Sequence, residues 1–242
     1  MSESSAIEIR DLTVEFSTGG KIVPALQKLD LKVAQGEVYG FIGPNGAGKT
    51  TTMHVLLGFI DATSGIAEIY GKDVRHSIAR RRIGYMPENP QMYRFLTGRE
   101  LLIMAGQLFG MRGRPLAAKA AELLDLIGLA AAADRKIAGY SRGMMQRIAL
   151  AQALVNDPDL VILDEPTGGF DPIGRIEIRK IIAGLRSAGK TVFFSSHELS
   201  EVERVCDRVG IIANGSLIAD GHISQLVKAG ETLEQYFVSI LT

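Results

Sequence analysis

Residues 43–51 read Gly43-Pro44-Asn45-Gly46-Ala47-Gly48-Lys49-Thr50-Thr51, a complete G-x-x-x-x-G-K-S/T string. It constrains the fold more than any other feature, because it functions only between a strand and a helix. Both neighbours are present. Residues 37–42 carry Val38, Tyr39, Phe41 and Ile42, a short apolar run of strand-forming residues. Residues 50–57 lack Gly and Pro and stop at Gly58, which predicts a short helix with a C-terminal glycine. The glycines let the backbone wrap so that several N–H groups face one anion, and the helix N-terminus adds positive potential. Lys49 supplies charge for the terminal phosphates, and the Thr50 hydroxyl is placed to hold Mg²⁺. A glycine turn with a surface lysine leaves the flanking strand and helix unaccounted for. The chain reads as a binder of a nucleoside triphosphate.

The 242 residues suit one α/β domain, or one domain with an inserted subdomain. An apolar content of 46% fills a core without disulfides or metal. The 27 basic and 27 acidic residues balance, which argues against nucleic acid as a partner, since phosphate neutralisation needs a basic surface. Arg80-Arg81-Arg82 reads as a solvated helix face. No apolar run approaches the roughly 18 to 20 residues that span a bilayer. The first ten residues show no basic region followed by an apolar stretch, so no signal peptide is expected. The lone Cys206 is expected to pack in a helix, consistent with a reducing cytoplasm.

Residues 7–9 and 13–16 alternate as two half-buried strands, with a turn at 17–20. Leu26, Leu29, Leu31 and Val33 extend an N-terminal antiparallel β-region, and 66–70 and 83–86 are further strands. From residue 88 to 157 the texture turns helical. Thr97 and Glu100 have capping-box spacing ahead of Leu101, Leu102, Met104 and Leu108. Leu116, Ala120, Leu123, Leu124 and Ile127 form an apolar stripe closed by Gly128, and Ser141 precedes a long helix reaching about residue 155. Residues 160–163 and 191–194 are uninterrupted apolar strands, as in a sheet covered on both faces, joined by a helix over 173–185. A helix over 199–207 follows. Then Asn214-Gly215 joins two strands, 209–213 and 217–219, as a type I′ hairpin, and two short helices finish the chain. The expectation is a P-loop NTPase core with a mostly parallel sheet, an N-terminal antiparallel β-region and an inserted helical subdomain. The α/β core takes residues 1–87 and 158–242, and the subdomain 88–157.

The strand at 160–163 ends in Asp164 and Glu165, at the carboxyl end where α/β proteins hold ligands. Asp164 suits a Mg²⁺-holding role and Glu165 that of a base polarising attacking water. His197 also follows a strand. A lone His is commonly structural or exposed, but beside two acids its imidazole can contact a γ-phosphate.

Tyr140-Ser141-Arg142-Gly143-Met144-Met145-Gln146-Arg147 lies between the loop and the acidic strand. Together with Leu163-Asp164-Glu165-Pro166-Thr167, Gly169-Phe170-Asp171-Pro172 and His197, it resembles the nucleotide-binding subunits of ABC transporters, in order and spacing over nearly the whole chain. The resemblance implies ATP and Mg²⁺, with two cassettes head to tail and ATP between them, the loop of one facing Ser141 and Gly143 of the other. It assigns Phe16 to adenine stacking, with a core strand Phe as the alternative, and Ser141 to the γ-phosphate, with an ordinary helix N-cap as the alternative. Asp171 matches the D-loop joining the two sites. It also implies a second copy or a homologous ATPase subunit, an integral-membrane permease docking at 88–98, and a place in the cytoplasm on the inner face of the cell membrane. Two positions depart from the family pattern. The signature has Arg142 and Met144 in place of Gly and Gln. Glu88 replaces the usual Gln after Tyr85-Met86-Pro87, where a carboxylate can still serve Mg²⁺ or water. This replacement and residues 232–237 resemble the branch paired with ABC-2-type exporters. Against these stand a soluble ABC-type ATPase that remodels or regulates without a permease, a P-loop kinase or GTPase, and a nucleotide-gated binding module. The sequence shows no coiled-coil insertion, no acceptor lid and no N-K-x-D guanine motif.

Overall fold

Apolar alternation at the N-terminus and continuous apolar runs later on produce two kinds of sheet. The computed structural model describes residues 5–168, 170–228 and 230–241. Strands β1 (Ser5–Thr18) and β2 (Lys21–Ala34) form a long hairpin. Strand β3 (Val38–Ile42) is buried at every position and leads through the glycine loop into α1 (Lys49–Leu56). Then come β4 (Ser64–Ile69), β5 (Lys72–Asp73), α2 (Ser77–Arg80) and β6 (Ile83–Met86). Helices α3 (Gly98–Leu108), α4 (Gly113–Leu126) and α5 (Arg142–Ala153) follow, with 3-10 turns at Ala130–Ala132 and Ile137–Gly139. Next are β7 (Leu160–Asp164), α6 (Pro172–Ser187), β8 (Thr191–Ser196) and α7 (Leu199–Val205). The chain continues with β9 (Arg208–Ala213), β10 (Ser216–His222), α8 (Ile223–Leu226) and α9 (Leu233–Leu241).

These elements form two compact units, one of Met1–Arg81 with Leu185–Thr242, the other Arg82–Gly184. In the first, β2, β1, β4 and β5 make an antiparallel sheet. Strand β3 pairs in parallel with β8 and β9, and β10 adds to β9 antiparallel. Beneath β3, the rings of Tyr39 and Phe193 stack at 5.8 Å and those of Phe41 and Phe193 lie 5.3 Å apart. The buried Tyr39 phenol donates to Asp220 at 2.9 Å, and burial pushes its ionisation well above the ordinary range. Arg208 holds Asp220 through two 2.8 Å hydrogen bonds and lies 5.4 Å from the centre of the Tyr39 ring. Strand β3 is therefore locked to β9 and β10 by polar as well as apolar contacts.

In the second unit β6 and β7 pair in parallel, Ile83 opposite Leu160 through Met86 opposite Leu163. Helix α3 packs on α4 and α5, and α5 packs on β6, burying Leu101, Leu102, Leu116, Leu123, Ile148 and Leu150. At Gly84 a Cβ would stand 2.0 Å from the Ala153 carbonyl oxygen, so glycine lets the end of α5 lie against β6. The Thr97–Glu100 capping box forms as expected. Thr97→Ala should cost about 1 kcal/mol in urea denaturation, because it strips one N-terminal N–H of α3 of its acceptor.

Several boundaries differ from the sequence expectations. The strands expected at 7–9 and 13–16 are one strand, β1, whose pairing slips around Asp11, a residue with φ 47°. The first turn takes only Gly19 and Gly20, both with positive φ. Helix α7 stops at Val205, so Cys206 caps the helix rather than packing within it. Burial against the sheet pushes the Cys206 thiol well above its ordinary range. The three arginines share no helix face: Arg80 ends α2 with its guanidinium on the Val74 carbonyl, while Arg82 enters β6 paired with Asp159 at 2.5 Å.

Candidate nucleotide site

Strand β3 delivers Gly43 from a buried sheet into the loop, and α1 opens at Lys49. Gly48 has φ +113°, and a Cβ there would lie 2.7 Å from Leu26 Cδ2 and 2.9 Å from the Ala25 carbonyl oxygen. Conformation and space both demand glycine. The Thr52 hydroxyl donates to the Gly48 carbonyl at 2.9 Å, and Ala47 N–H donates to the Pro44 carbonyl at 3.2 Å. Pro44, Asn45, Gly46 and Thr50 are exposed, Thr51 is half-buried, and Gly43, Ala47 and Lys49 are buried. The Lys49 ammonium donates to the loop's own carbonyls, Gly43 at 2.6 Å and Pro44 at 3.1 Å. Thr50 stands in the first turn of α1 with its side chain toward solvent.

A support for this loop comes from far along the sequence. Asn214 and Gly215 take φ 48° and 78°, the expected type I′ turn between β9 and β10. Gly215 N–H donates to the Ala47 carbonyl at 2.9 Å, and the Gly215 carbonyl accepts from Gln27 N–H at 2.8 Å. Sequence reasoning finds the turn but not this tie, since a main-chain hydrogen bond leaves no trace in residue type. Phe16 is 40% exposed near the end of β1, opposite the exposed Val23, so the core alternative for it falls. His197 is exposed in the bend after β8.

The second unit holds the remaining candidates. Asp164 ends β7 and is buried, as is Glu165. Glu165 has φ +51°, a strained backbone for a residue of its kind, and its carbonyl accepts from Gly168 N–H at 3.0 Å. Burial first, and then the nearby negative charge of Asp164, push the Tyr85 phenol up to about 12. Glu88 is exposed just past β6, and its main-chain carbonyl accepts from Gln146 Nε2 at 2.9 Å. Ser141 is the N-cap of α5, its hydroxyl accepting from Met144 N–H at 3.3 Å, and it remains exposed. The N-cap alternative thus describes its local role, and exposure leaves the hydroxyl accessible. Gly143 is different from Gly48. Its φ is not positive, and the nearest atom to an added Cβ is on Phe170 at 3.7 Å, so no packing within the described residues requires glycine. Asp171 accepts from Gly174 N–H at 2.7 Å and so braces the start of α6, while Gly169 of the same motif lies outside the described residues.

Phe16, the phosphate loop and His197 therefore belong to the first unit, and Glu88, Ser141, Gly143, Asp164 and Glu165 to the second. The donor types fit Mg²⁺, since an exposed hydroxyl on a helix start and a carboxylate at a strand end are hard oxygen ligands. Among the described residues no helix is long and apolar enough to cross a membrane.

The sequence model of a family described as ABC transporter matches residues 26–168. An uncharacterised ABC transporter ATP-binding protein of a Nostoc species is 43% identical over 94% of this chain and 70% of its own length. The bacitracin transport ATP-binding protein BcrA of Bacillus licheniformis is 38% identical over 98% of this chain and 76% of its own length. Among solved structures, the dimeric bacterial ABC transporter cassette MJ0796 superposes with a TM-score of 0.83 at 25% identity, covering 90% of this chain and 98% of that one.

Proposed function

Since the chain belongs to the ABC transporter family of ATP-binding proteins, we propose that it is one cassette of a two-cassette ATPase driving a separate integral-membrane permease. The second cassette is another copy or a homologous subunit. The exposed N-terminus of α5 carries this reading: Ser141 and Gly143 stand at a helix start that the cassette itself leaves open to solvent. Gly143, which its own surroundings do not require, is explained when a partner's nucleotide must approach the main chain closely.

In this scheme the loop amides and Lys49 hold the ATP phosphates, Phe16 stacks on adenine, and Glu165 takes a proton from the attacking water. His197 contacts the γ-phosphate, and Ser141 and Gly143 of the second cassette close over it. Thr50 and Asp164, with Glu88, would hold Mg²⁺, which neutralises phosphate charge when bound. Binding of ATP favours the closed pair and hydrolysis releases it, a two-state motion biased by ligand. The permease docks at residues 88–98. There Tyr93 and Phe95 are 58% and 67% exposed with rings 5.7 Å apart, an exposed aromatic pair suited to a partner helix. Kinship with a bacitracin transport protein supports the ABC-2-type exporter branch. The protein then works in the cytoplasm against the inner face of the membrane.

Mg-ATP hydrolysis measured with and without the membrane proteins that co-purify tests the coupling, and stimulation by an identified permease is the expected result. Ser141→Ala should lower hydrolysis about tenfold or more while ATP binding to the isolated cassette stays the same. Unaltered hydrolysis in Ser141→Ala would remove the two-cassette site.

A further inference from the structure

Gln146 lies one turn beyond the open end of α5, is only 4% exposed, and is half satisfied. Its Nε2 donates to the Glu88 main-chain carbonyl at 2.9 Å. Its Oε1 is buried, and among the described residues no donor reaches it. A buried amide acceptor left open is costly, and natural cores keep few of them. The side chain also lines a cavity of about 180 Å³ with Asn89, Pro90, Gln91, Arg142 and Met145. One wall is thus the segment after β6, and the other is the first turns of α5.

We propose that Gln146 is a positioning residue that couples the main chain at Glu88 to the helix that presents Ser141. This rests on the assignment of Glu88 and Ser141 to the ATPase site. The amide grips the Glu88 segment by one hydrogen bond while its second polar atom stays unpaired, so this arrangement is not the best the side chain can make. A shift of residues 88–91 across the cavity brings main-chain or side-chain N–H groups toward Oε1 and satisfies it. The close approach at Gly84 fixes the far end of α5, at Ala153, so a shift gripped at Gln146 acts on the first turns of the helix, which Ser141 caps. Nucleotide contact at Glu88 and presentation of Ser141 are thereby made one event.

Two variants test this. Gln146→Met keeps the volume and has neither donor nor acceptor, and Gln146→Glu keeps the shape and loses the donor. Both should lower kcat about tenfold, with KM for ATP within twofold of the unaltered protein and, for Gln146→Met, an equal or higher melting temperature. A kcat per folded molecule equal to that of the unaltered protein, in whichever variant folds, overturns the proposal, as does a loss wholly explained by unfolding. The unaltered protein offers a second measurement. On adding Mg²⁺ and a non-hydrolysable ATP analogue, amide exchange in residues 88–91 and 141–146 should slow together, and slowing in one segment alone overturns the coupling. If the unaltered protein neither binds nor hydrolyses ATP, the ATPase assignment itself fails, a result distinct from either of these.

Discussion

Glu165→Gln is expected to abolish turnover, lowering kcat by about 10² to 10⁴-fold, while ATP binding stays within a factor of about three. Glutamine fills the same volume at the end of β7 and takes the same backbone, so the φ of +51° is imposed on it as on glutamate. What it lacks is a basic oxygen able to accept a proton from water. Glu165 itself is buried, so bulk solvent does not readily replace that base. With ATP bound and no hydrolysis to release it, the closed pair accumulates, and size-exclusion chromatography with Mg-ATP should shift from one cassette to two. Near-normal hydrolysis would take the base role away from Glu165.

Lys49→Met is expected to act on binding instead, lowering ATP affinity about 100-fold in a calorimetric titration. The ammonium makes charge-assisted hydrogen bonds, each of which contributes roughly 1.5–3 kcal/mol, and about 1.4 kcal/mol is a tenfold change in affinity. Here the ammonium is already held by the carbonyls of Gly43 and Pro44. It is aimed by the loop before any phosphate arrives, so little side-chain freedom remains to be lost on binding. Methionine packs along the same path but leaves both carbonyls without that donor, so the empty protein should also melt a few degrees lower. An ATP affinity unchanged by the substitution would mean that the loop amides alone hold the phosphates.

Local signals made the core of the fold legible from sequence. The glycine loop, the Thr97–Glu100 box and Asn214-Gly215 are decided by a few adjacent residues, and each forms as those residues dictate. Buried strands β3, β7 and β8 were equally plain, because a run covered on both faces must be apolar throughout. Tertiary context set what was not legible. Asp11 interrupts the alternation of β1, but the partner strands absorb it as a slip and the strand runs on. At the candidate site, residue types pointed to Lys49, Asp164, Glu165 and Ser141, since each carries its chemistry in its side chain. The main-chain tie from Gly215 to Ala47 and the half-satisfied amide of Gln146 depend on distance alone, and no residue pattern announces them.

That tie has a consequence for how the protein is made. Translation proceeds at roughly 5–20 residues per second, and the loop at residue 47 leaves the ribosome well before residue 215 exists. Until the β9–β10 turn is synthesised, the Ala47 carbonyl lacks the donor that braces it in the finished protein. A growing chain therefore carries the whole G-x-x-x-x-G-K-S/T string for roughly ten seconds or more without the brace behind it. Nascent copies should capture ATP poorly until the hairpin emerges, and a ribosome stalled between the loop and the turn would display the motif without its grip.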